Sequence, residues 1–340
     1  MAKNTTPLEI FTESLRLYFS NFDKFVKYMT FPVLGQLLGL GIVFLLTLMM
    51  SKILPNAIQS FPLLSNYGTF LIVCILIIMP GMIIFTKAFW EYLVAYGAIN
   101  SMLENMLKSG KVYDFDAHTE LIKRRTIPYV GLWFLFGIFS LISINPLFWV
   151  VSVVFAIYFV LVFQIFTFEP ELSPIGCVKR SLELVKGHFG STLMLFALIG
   201  ALTYVLVPEI INKICSYTYI TKFLSDLMLP IINQLPISEW SMFLVDYHLP
   251  ALNSEKISAF FVSTLIAQIF IQYTLPLRSI LWSMWYKKLN NNKIGVANIS
   301  STKKKKNKKP SEILIESSNK KYSSKKLDRN ILRRAMEKED

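Results

Sequence analysis

Charged residues are scarce, making up only 17% of the 340 residues of this chain, whereas soluble domains average about 25%. Hydrophobic residues make up 54%, and phenylalanine alone contributes 27 residues. This composition is typical of a membrane protein, and it excludes most classes of soluble enzyme.

Cysteine and histidine are also scarce, with three residues of each. Cys74, Cys177 and Cys215 form no C-x-x-C pair, so they predict neither a disulfide framework nor a zinc site. The chain contains no HExxH motif, no G-x-S-x-G elbow and no glycine-rich phosphate loop. We therefore predict a protein that is not an enzyme and that uses no metal or cofactor.

Long uncharged windows predict the membrane spans, because about 20 apolar residues in a helix cross about 30 Å of hydrocarbon. One window, residues 126–168, contains no charge over 43 residues, and Asn145-Pro146 divides it into two spans. The predicted fold class is all-α, a polytopic membrane bundle (residues 28–290) with six transmembrane helices. Their predicted bounds are 28–51, 67–89, 126–145, 146–168, 189–208 and 257–277.

The loop charges predict the orientation of these spans. If both termini lie in the cytoplasm, only four of the 35 lysines and arginines lie outside, namely Lys52, Lys213, Lys222 and Lys256. Cytoplasmic loops carry the excess of basic residues in membrane proteins. We therefore predict a multi-pass protein of the bacterial cytoplasmic (inner) membrane with both termini inside.

Residues 1–27 are predicted to contain a cytoplasmic amphipathic helix. Thr6-Pro7-x-Glu9 is a capping box with proline at the first helical position, which predicts the helix start. Apolar residues then recur at three- and four-residue steps: Leu8, Phe11, Leu15, Phe19, Phe22 and Val26. This face suits either a helix lying at the lipid headgroups or one packed on the bundle, and the sequence favours neither.

A second amphipathic helix is predicted after the fourth span, with Ser173 as its cap and Pro174 at its first position. Its apolar stripe consists of Ile175, Val178, Leu182 and Val185. A third candidate surface helix covers residues 91–108. These helices predict a cytoplasmic face that contacts lipid or other parts of the protein.

The first two surface helices share a short sequence pattern. Ser14-Leu15-Arg16-Leu17 and Ser181-Leu182-Glu183-Leu184 lie 167 positions apart, and Phe22 and Phe189 follow at the same offset. Each copy precedes a predicted span. We interpret this as a duplication of a unit made of a surface helix and a transmembrane hairpin; chance similarity in an apolar chain is the alternative.

Few strongly polar residues lie within the predicted spans: Gln36, Gln164, Gln268 and Gln272. Hydrogen bonding between helices is the expected role of such glutamines, and a path for a substrate is the alternative. The ionisable residues Lys87, Glu91, Glu209 and Arg278 lie near span ends, where we expect their charges to reach the interface.

Residues 291–340 are predicted to form a basic, disordered cytoplasmic tail. Its densest cluster consists of Lys303, Lys304, Lys305, Lys306, Lys308 and Lys309. Anionic lipids attract such juxtamembrane clusters, so these lysines are the candidate lipid contacts, and a solvated tail that fixes topology is the alternative. We do not expect nucleic acid as a partner, because Tyr322 is the only aromatic residue of the tail.

Two stretches of the chain match motifs of a known group. The first is Glu171 with residues 178–189 (VKRSLELVKGHF), and the second is Pro276, Ile280 and residues 285–289 (WYKKL). They resemble motifs of poorly characterised bacterial six-span proteins, including the membrane domain fused to some glycerophosphoryl diester phosphodiesterases. Lys287 stands where that group usually has an acidic residue.

The resemblance covers roughly residues 7–290 and implies the six-span fold without implying phosphodiesterase activity. That chemistry resides in a separate soluble barrel of about 250 residues, for which this sequence has no counterpart. The leading prediction is a non-catalytic accessory or scaffold protein that organises the membrane, engaging anionic lipid and an unidentified protein partner at the cytoplasmic face. The alternative is a transporter or permease for a small or lipid-like substrate.

Overall fold

The computed structural model of the protein describes residues 6–61, 66–112, 115–248 and 250–306, without the side chains of Ser51, 54–59 and 292–306. All the regular structure of these residues is helical, which confirms the predicted all-α fold class. The helices are α1 Pro7–Ser20, α2 Phe22–Ser60, α3 Tyr67–Ser109, α4 Phe115–Lys123, α5 Thr126–Ile142, α6 Trp149–Phe159, α7 Val162–Phe168, α8 Pro174–Val185, α9 Phe189–Gly200, α10 Val207–Tyr217, α11 Ile220–Ile232, α12 Ile237–Asp246, α13 Ser254–Tyr273 and α14 Leu275–Lys306.

Several of these helices combine into segments that fit a bilayer. Within the described residues, five segments are long and apolar enough to cross a membrane by length and composition: Phe22–Met50, Tyr67–Ser109, Pro146–Phe168, Phe189–Tyr217 and Ser254–Asn291. α4 and α5 form a pair bent by 79°, which supplies a sixth candidate if the pair is one span. Many large apolar side chains of these segments are exposed, as expected of a multi-pass membrane protein.

The third predicted surface helix, residues 91–108, is the continuation of α3 and not a separate element. α3 is one helix of 43 residues that contains Pro80 and continues through residues 89–91 without a break. It ends where Gly110 adopts a left-handed conformation with φ of 70° and donates to the Met106 carbonyl. Glycine adopts this conformation without the steric cost that a side chain brings.

α2 and α3 form an antiparallel pair with very close backbones. A Cβ atom added to Gly39 would lie 2.5 Å from the Phe85 nitrogen, and one added to Gly81 would lie 2.8 Å from the Gly39 carbonyl oxygen. Gly35 faces the Cβ of Ala88 in the same seam, at 2.8 Å from an added Cβ. Small residues permit such close approach, which strengthens helix packing where the hydrophobic effect is absent.

The first part of α14 lies at the centre of the core. Its residues from Leu275 to Leu289 are buried on nearly all sides, and α1, α3, α7 and α8 pack around it. Trp285 is the largest fully buried side chain, and its indole N–H donates to Thr192 of α9 at 3.0 Å. The predicted amphipathic helices α1 and α8 therefore pack against the core at one end of the bundle.

Basic residues gather at this same end, which we call the basic end. There Lys24 donates to the Val112 carbonyl, Lys123 pairs with Glu91, and Lys287 pairs with Glu104. At the opposite end, α10 and α11 pack on α13, and Ser258 donates to the Ser225 carbonyl at 2.7 Å.

The predicted basic tail begins within α14, because this helix continues from the core to Lys306. The side chains of Lys303, Lys304, Lys305 and Lys306 are not among those described. Lys308, Lys309 and the rest of residues 307–340 lie outside the described residues.

Candidate functional site

α1 has two apolar faces, which lie side by side around the helix. Thr6 and Glu9 form the predicted capping box, so the start of the helix is confirmed. One face packs on the bundle through its buried residues Ile10, Ser14, Leu17 and Tyr18. The other, which contains Leu8 and Phe19, is exposed, as is Phe22 at the start of α2.

The apolar stripe identified in the sequence is therefore divided: Leu8, Phe19 and Phe22 are exposed, whereas Phe11 and Leu15 are partly buried and pack against the core. At the core face, the Tyr18 hydroxyl donates to the Tyr273 carbonyl at 3.1 Å, and burial raises the pKa of Tyr18 to about 12. Packing on the bundle, one of the two alternatives left open by the sequence, therefore describes the buried face, and lipid contact of the exposed residues stays a prediction.

α8 repeats this arrangement. Ser173 caps it by accepting from the Gly176 N–H, as predicted, and Ile175 is 63% exposed on its outer face. The buried residues of α8 follow those of α1 at the same offset of 167 positions: Cys177, Ser181, Leu184 and Val185. The shared cap, proline and buried register support the interpretation of a duplicated unit.

Four side chains form a closed polar ring at the basic end. Glu169 accepts from Arg180 at 3.3 Å and from the Tyr286 hydroxyl at 2.8 Å. Asn290 completes the ring by accepting from Arg180 at 2.9 Å and donating to the Tyr286 hydroxyl at 3.3 Å. Burial alone lowers the pKa of Arg180, but the carboxylates of Glu169 and Glu183 together outweigh this, so the pKa is raised.

This ring joins the two stretches on which the family resemblance rests. Arg180 belongs to the first stretch and Tyr286 to the second, and Glu169 binds both. Sequence reasoning missed Glu169, because this residue lies outside both motifs, two residues before Glu171 of the first one. The arrangement fastens α8 to α14 and positions the exposed face of α8.

A second polar group lies inside the core, between α3, α7 and α14. The Asn100 amide oxygen accepts from Ser279 at 2.6 Å and from Ser283 at 2.9 Å. Gln164 donates to the Tyr96 hydroxyl at 3.0 Å and to Asn100 at 3.3 Å. Asn100 and Gln164 are fully buried, and each keeps one polar atom, Nδ2 and Oε1 respectively, without a hydrogen-bond partner among the described residues.

The four glutamines predicted as intramembrane polar residues do not form one group. Gln36 donates to the Pro32 carbonyl of its own helix, and Gln164 lies in the core group just described. Gln268 is exposed, whereas Gln272 is partly buried and its Oε1 has no partner in the described part of the chain. No hydrogen bond among the described residues joins any two of them.

Arg278, which the sequence places near a span end, makes contacts that the sequence did not indicate. Its guanidinium donates to the hydroxyls of Tyr204 and Tyr92, the latter at 3.3 Å, and to the Ile271 carbonyl at 3.3 Å. Tyr204 lies on a π-helical turn, Ala201–Leu206, and such turns are frequent at functional sites. Sequence reasoning missed the two tyrosines, because 186 positions separate Tyr92 from Arg278.

The described residues contain no group of three or more His, Cys, Asp or Glu side chains that could hold a metal ion. No family model matches the chain, and no curated protein or solved structure matches it either. The resemblance to the six-span group therefore stays a prediction, and the function proposed below rests on the geometry of this chain.

Proposed function

We propose that this protein is a non-catalytic, six-span accessory or scaffold protein of a bacterial cytoplasmic membrane. In this proposal both termini lie in the cytoplasm, and the basic end engages anionic lipid and a membrane-associated protein partner. The observation that carries the proposal is the pair of helices α1 and α8, each with one buried face and one exposed apolar face at the basic end.

Charge at this end supports contact with a lipid surface. Helices that lie in the interface bury their apolar face about 5–10 Å into the boundary between headgroups and acyl chains, and basic side chains beside that face attract anionic headgroups. Arg16 and Lys179 are exposed on α1 and α8. The lysines of residues 303–309 add charge worth about 1 kcal/mol each when they lie close to an anionic surface.

The ring around Glu169 supports a scaffold function. It fixes α8 to α14 through hydrogen bonds to charged groups, so the exposed face of α8 is held in one orientation. A preorganised surface loses less conformational entropy when a partner binds. The partner surface in this proposal therefore includes the outer face of α8.

Lipid capture by the full chain tests the proposal. The protein is reconstituted in phosphatidylcholine nanodiscs, and binding of phosphatidylglycerol vesicles is compared with binding of phosphatidylcholine vesicles. A variant with Lys303, Lys304, Lys305, Lys306, Lys308 and Lys309 changed to Gln should lose most of the anionic preference, because the attraction is electrostatic. The matched control changes Lys213, Lys222 and Lys256 to Gln at the opposite end. Equal binding by wild type, tail variant and control would contradict the proposal.

The second candidate function is a transporter or permease for a small or lipid-like substrate. The unpartnered atoms of Asn100 and Gln164 favour it, because buried polar atoms without partners are costly and persist at functional sites. A continuous path along all four glutamines has less support, since Gln268 is exposed and Gln36 bonds to its own helix. Unchanged solute and lipid flux in liposomes carrying the Gln164→Leu variant would argue against it.

A further inference from the structure

Arg278 is a cation in apolar surroundings without a carboxylate to balance it. It lies in the segment Ser254–Asn291, which is apolar enough to span a membrane, and residues 257–277 before it contain no charge. Seven ion pairs form among the described residues, and Arg278 belongs to none of them. A charge in such surroundings is costly unless an opposite charge or a full set of acceptors accompanies it.

The acceptors around Arg278 do not satisfy its guanidinium. A guanidinium has five N–H donors, and three of them have acceptors among the described residues, namely Tyr204, Tyr92 and the Ile271 carbonyl. The Nε atom is buried and has no partner in the described part of the chain. The site therefore retains both an unbalanced charge and unused donors.

The two tyrosines add further donors to the same place. Each phenolic oxygen accepts from Arg278, so each hydroxyl proton is free to point toward another acceptor. Among the described residues, neither Tyr92 nor Tyr204 donates its hydroxyl proton in a hydrogen bond. Arg278, Tyr92 and Tyr204 together present converging donors around one positive charge, which is the chemistry of an oxyanion site.

The site opens toward the surface that a bilayer would cover. Tyr204 is 55% exposed, and its neighbours Val205 and Leu206 are 62% and 51% exposed. The Tyr204 ring also lies against the guanidinium, with 5.4 Å between the ring centroid and the central carbon of Arg278. An anion carried by acyl chains can reach this position from the lipid side.

We propose that Arg278, Tyr92 and Tyr204 form a binding site for one oxyanion headgroup, the phosphate of a membrane phospholipid. The guanidinium supplies the positive charge and its unused donors, and the two phenols donate to phosphate oxygens. The proposed site is defined without the lysines of residues 303–309. It rests on the proposed function only in requiring that the chain lie in a bilayer.

Native mass spectrometry of the full chain tests this site. Protein released from phosphatidylcholine nanodiscs containing a minor fraction of phosphatidylglycerol should retain one tightly held phosphatidylglycerol. Arg278→Gln should weaken this retention by about tenfold or more, because it removes the charge and the hydrogen bonds to a charged group. Arg278→Lys and Tyr204→Phe should weaken it less, since the first keeps the charge and the second keeps the ring.

Two further arms make the result decisive. The lipid-dependent rise in melting temperature is measured for each variant in detergent, which identifies any variant that fails to fold. If Arg278→Gln fails to fold, the result for Tyr204→Phe decides. Inorganic phosphate replaces the lipid in a parallel series. If phosphate alone raises the melting temperature in a way that depends on Arg278, the result supports the site and assigns a soluble anion to it.

The controls separate this site from the basic end. Lys256→Gln, an exposed cation of the opposite end, should retain the lipid fully. The variant with the six tail lysines changed to Gln should lose vesicle capture and keep the single bound lipid. Unchanged retention in Arg278→Gln and Tyr204→Phe would overturn the site and leave the proposed function standing. Unchanged vesicle capture by the tail variant would overturn the proposed function and leave the site standing.

Discussion

Ser14 and Ser181 occupy the same position in two helices that begin 167 residues apart. Both are fully buried. Ser14 donates to the Ile10 carbonyl of its own helix at 2.7 Å and lies 3.4 Å from the Met284 sulfur, whereas Ser181 donates to the Tyr158 carbonyl at 2.6 Å. In each helix the serine is the small residue that allows close packing on the core.

Enlarging either serine should therefore loosen the same kind of contact. Ser14→Leu and Ser181→Leu should each lower the free energy of unfolding by about 1–3 kcal/mol, because a well-packed site does not accommodate the added methylenes. The midpoint of SDS-induced unfolding in mixed micelles measures this effect. Thr12→Leu, on the exposed side of α1, is the control that should leave the midpoint nearly unchanged. Equal midpoints for all three variants would mean that the two helices are not held by these faces.

The seam between α2 and α3 predicts a sharp contrast between two nearby glycines. Gly39→Ala should destabilise the protein by about 1–3 kcal/mol, because the new Cβ would meet backbone atoms that cannot move aside easily. Gly41→Ala meets nothing within 4 Å, and alanine favours a helix over glycine by about 1 kcal/mol. The two variants should therefore shift the melting temperature in opposite directions. A shift of the same sign and size for both would contradict the close packing of α2 on α3.

The ring at the basic end predicts a large effect from one carboxylate. Glu169→Gln should cost about 1–3 kcal/mol, because Arg180 and Tyr286 lose their shared charged acceptor in partly buried surroundings. Glu209→Gln changes the exposed pair with Lys213, and exposed pairs contribute about 0–1 kcal/mol. Unfolding midpoints of the two variants, measured side by side, give the comparison. If Glu209→Gln proved as costly as Glu169→Gln, the ring would have no special part in holding α8.

Cys177 offers a chemical probe of the core face of α8. Its side chain is fully buried, and burial raises the pKa of its thiol to about 11. Since only the thiolate reacts with maleimide, Cys177 should label more slowly than the partly exposed Cys215 at pH 8. Its rate should continue to rise toward pH 11 and should increase sharply on unfolding in SDS. A Cys74→Ala background leaves only these two thiols to compare, and rapid labelling of Cys177 in the folded protein would contradict the burial of this face.

Local signals in the sequence predicted the starts of α1 and α8 correctly. Thr6 with Glu9, and Ser173 with Pro174, act within one turn of the helix, so neighbouring residues alone decide them. The orientation of these helices was harder to predict, because the apolar side of each helix is wider than the face that is buried. Periodicity identified a stripe of which Leu8 and Phe19 are exposed and Phe11 and Leu15 are partly buried, and the fully buried face with Ile10 and Ser14 became visible only in the folded chain.

Contacts between distant parts of the chain had no local signal. The length of α3 was missed because the span ending near Phe89 and the surface helix after Glu91 were read as two elements, although nothing separates them. Arg278 was assigned to the interface from its place after an apolar run. Its partners Tyr92 and Tyr204 come from two other segments, and the π-helical turn that carries Tyr204 has no signature of its own in the sequence.

Orientation in the membrane is the claim on which the proposed function depends, and reporter fusions test it most directly. Green fluorescent protein fluoresces only in the cytoplasm, whereas alkaline phosphatase is active only outside it. The account predicts that a fusion after Asp340 is fluorescent with the first reporter and inactive with the second. A fusion after Asp246, in the segment between α12 and α13, should give the opposite pair of results. Phosphatase activity at the C-terminus together with fluorescence after Asp246 would place the basic end outside and contradict the account.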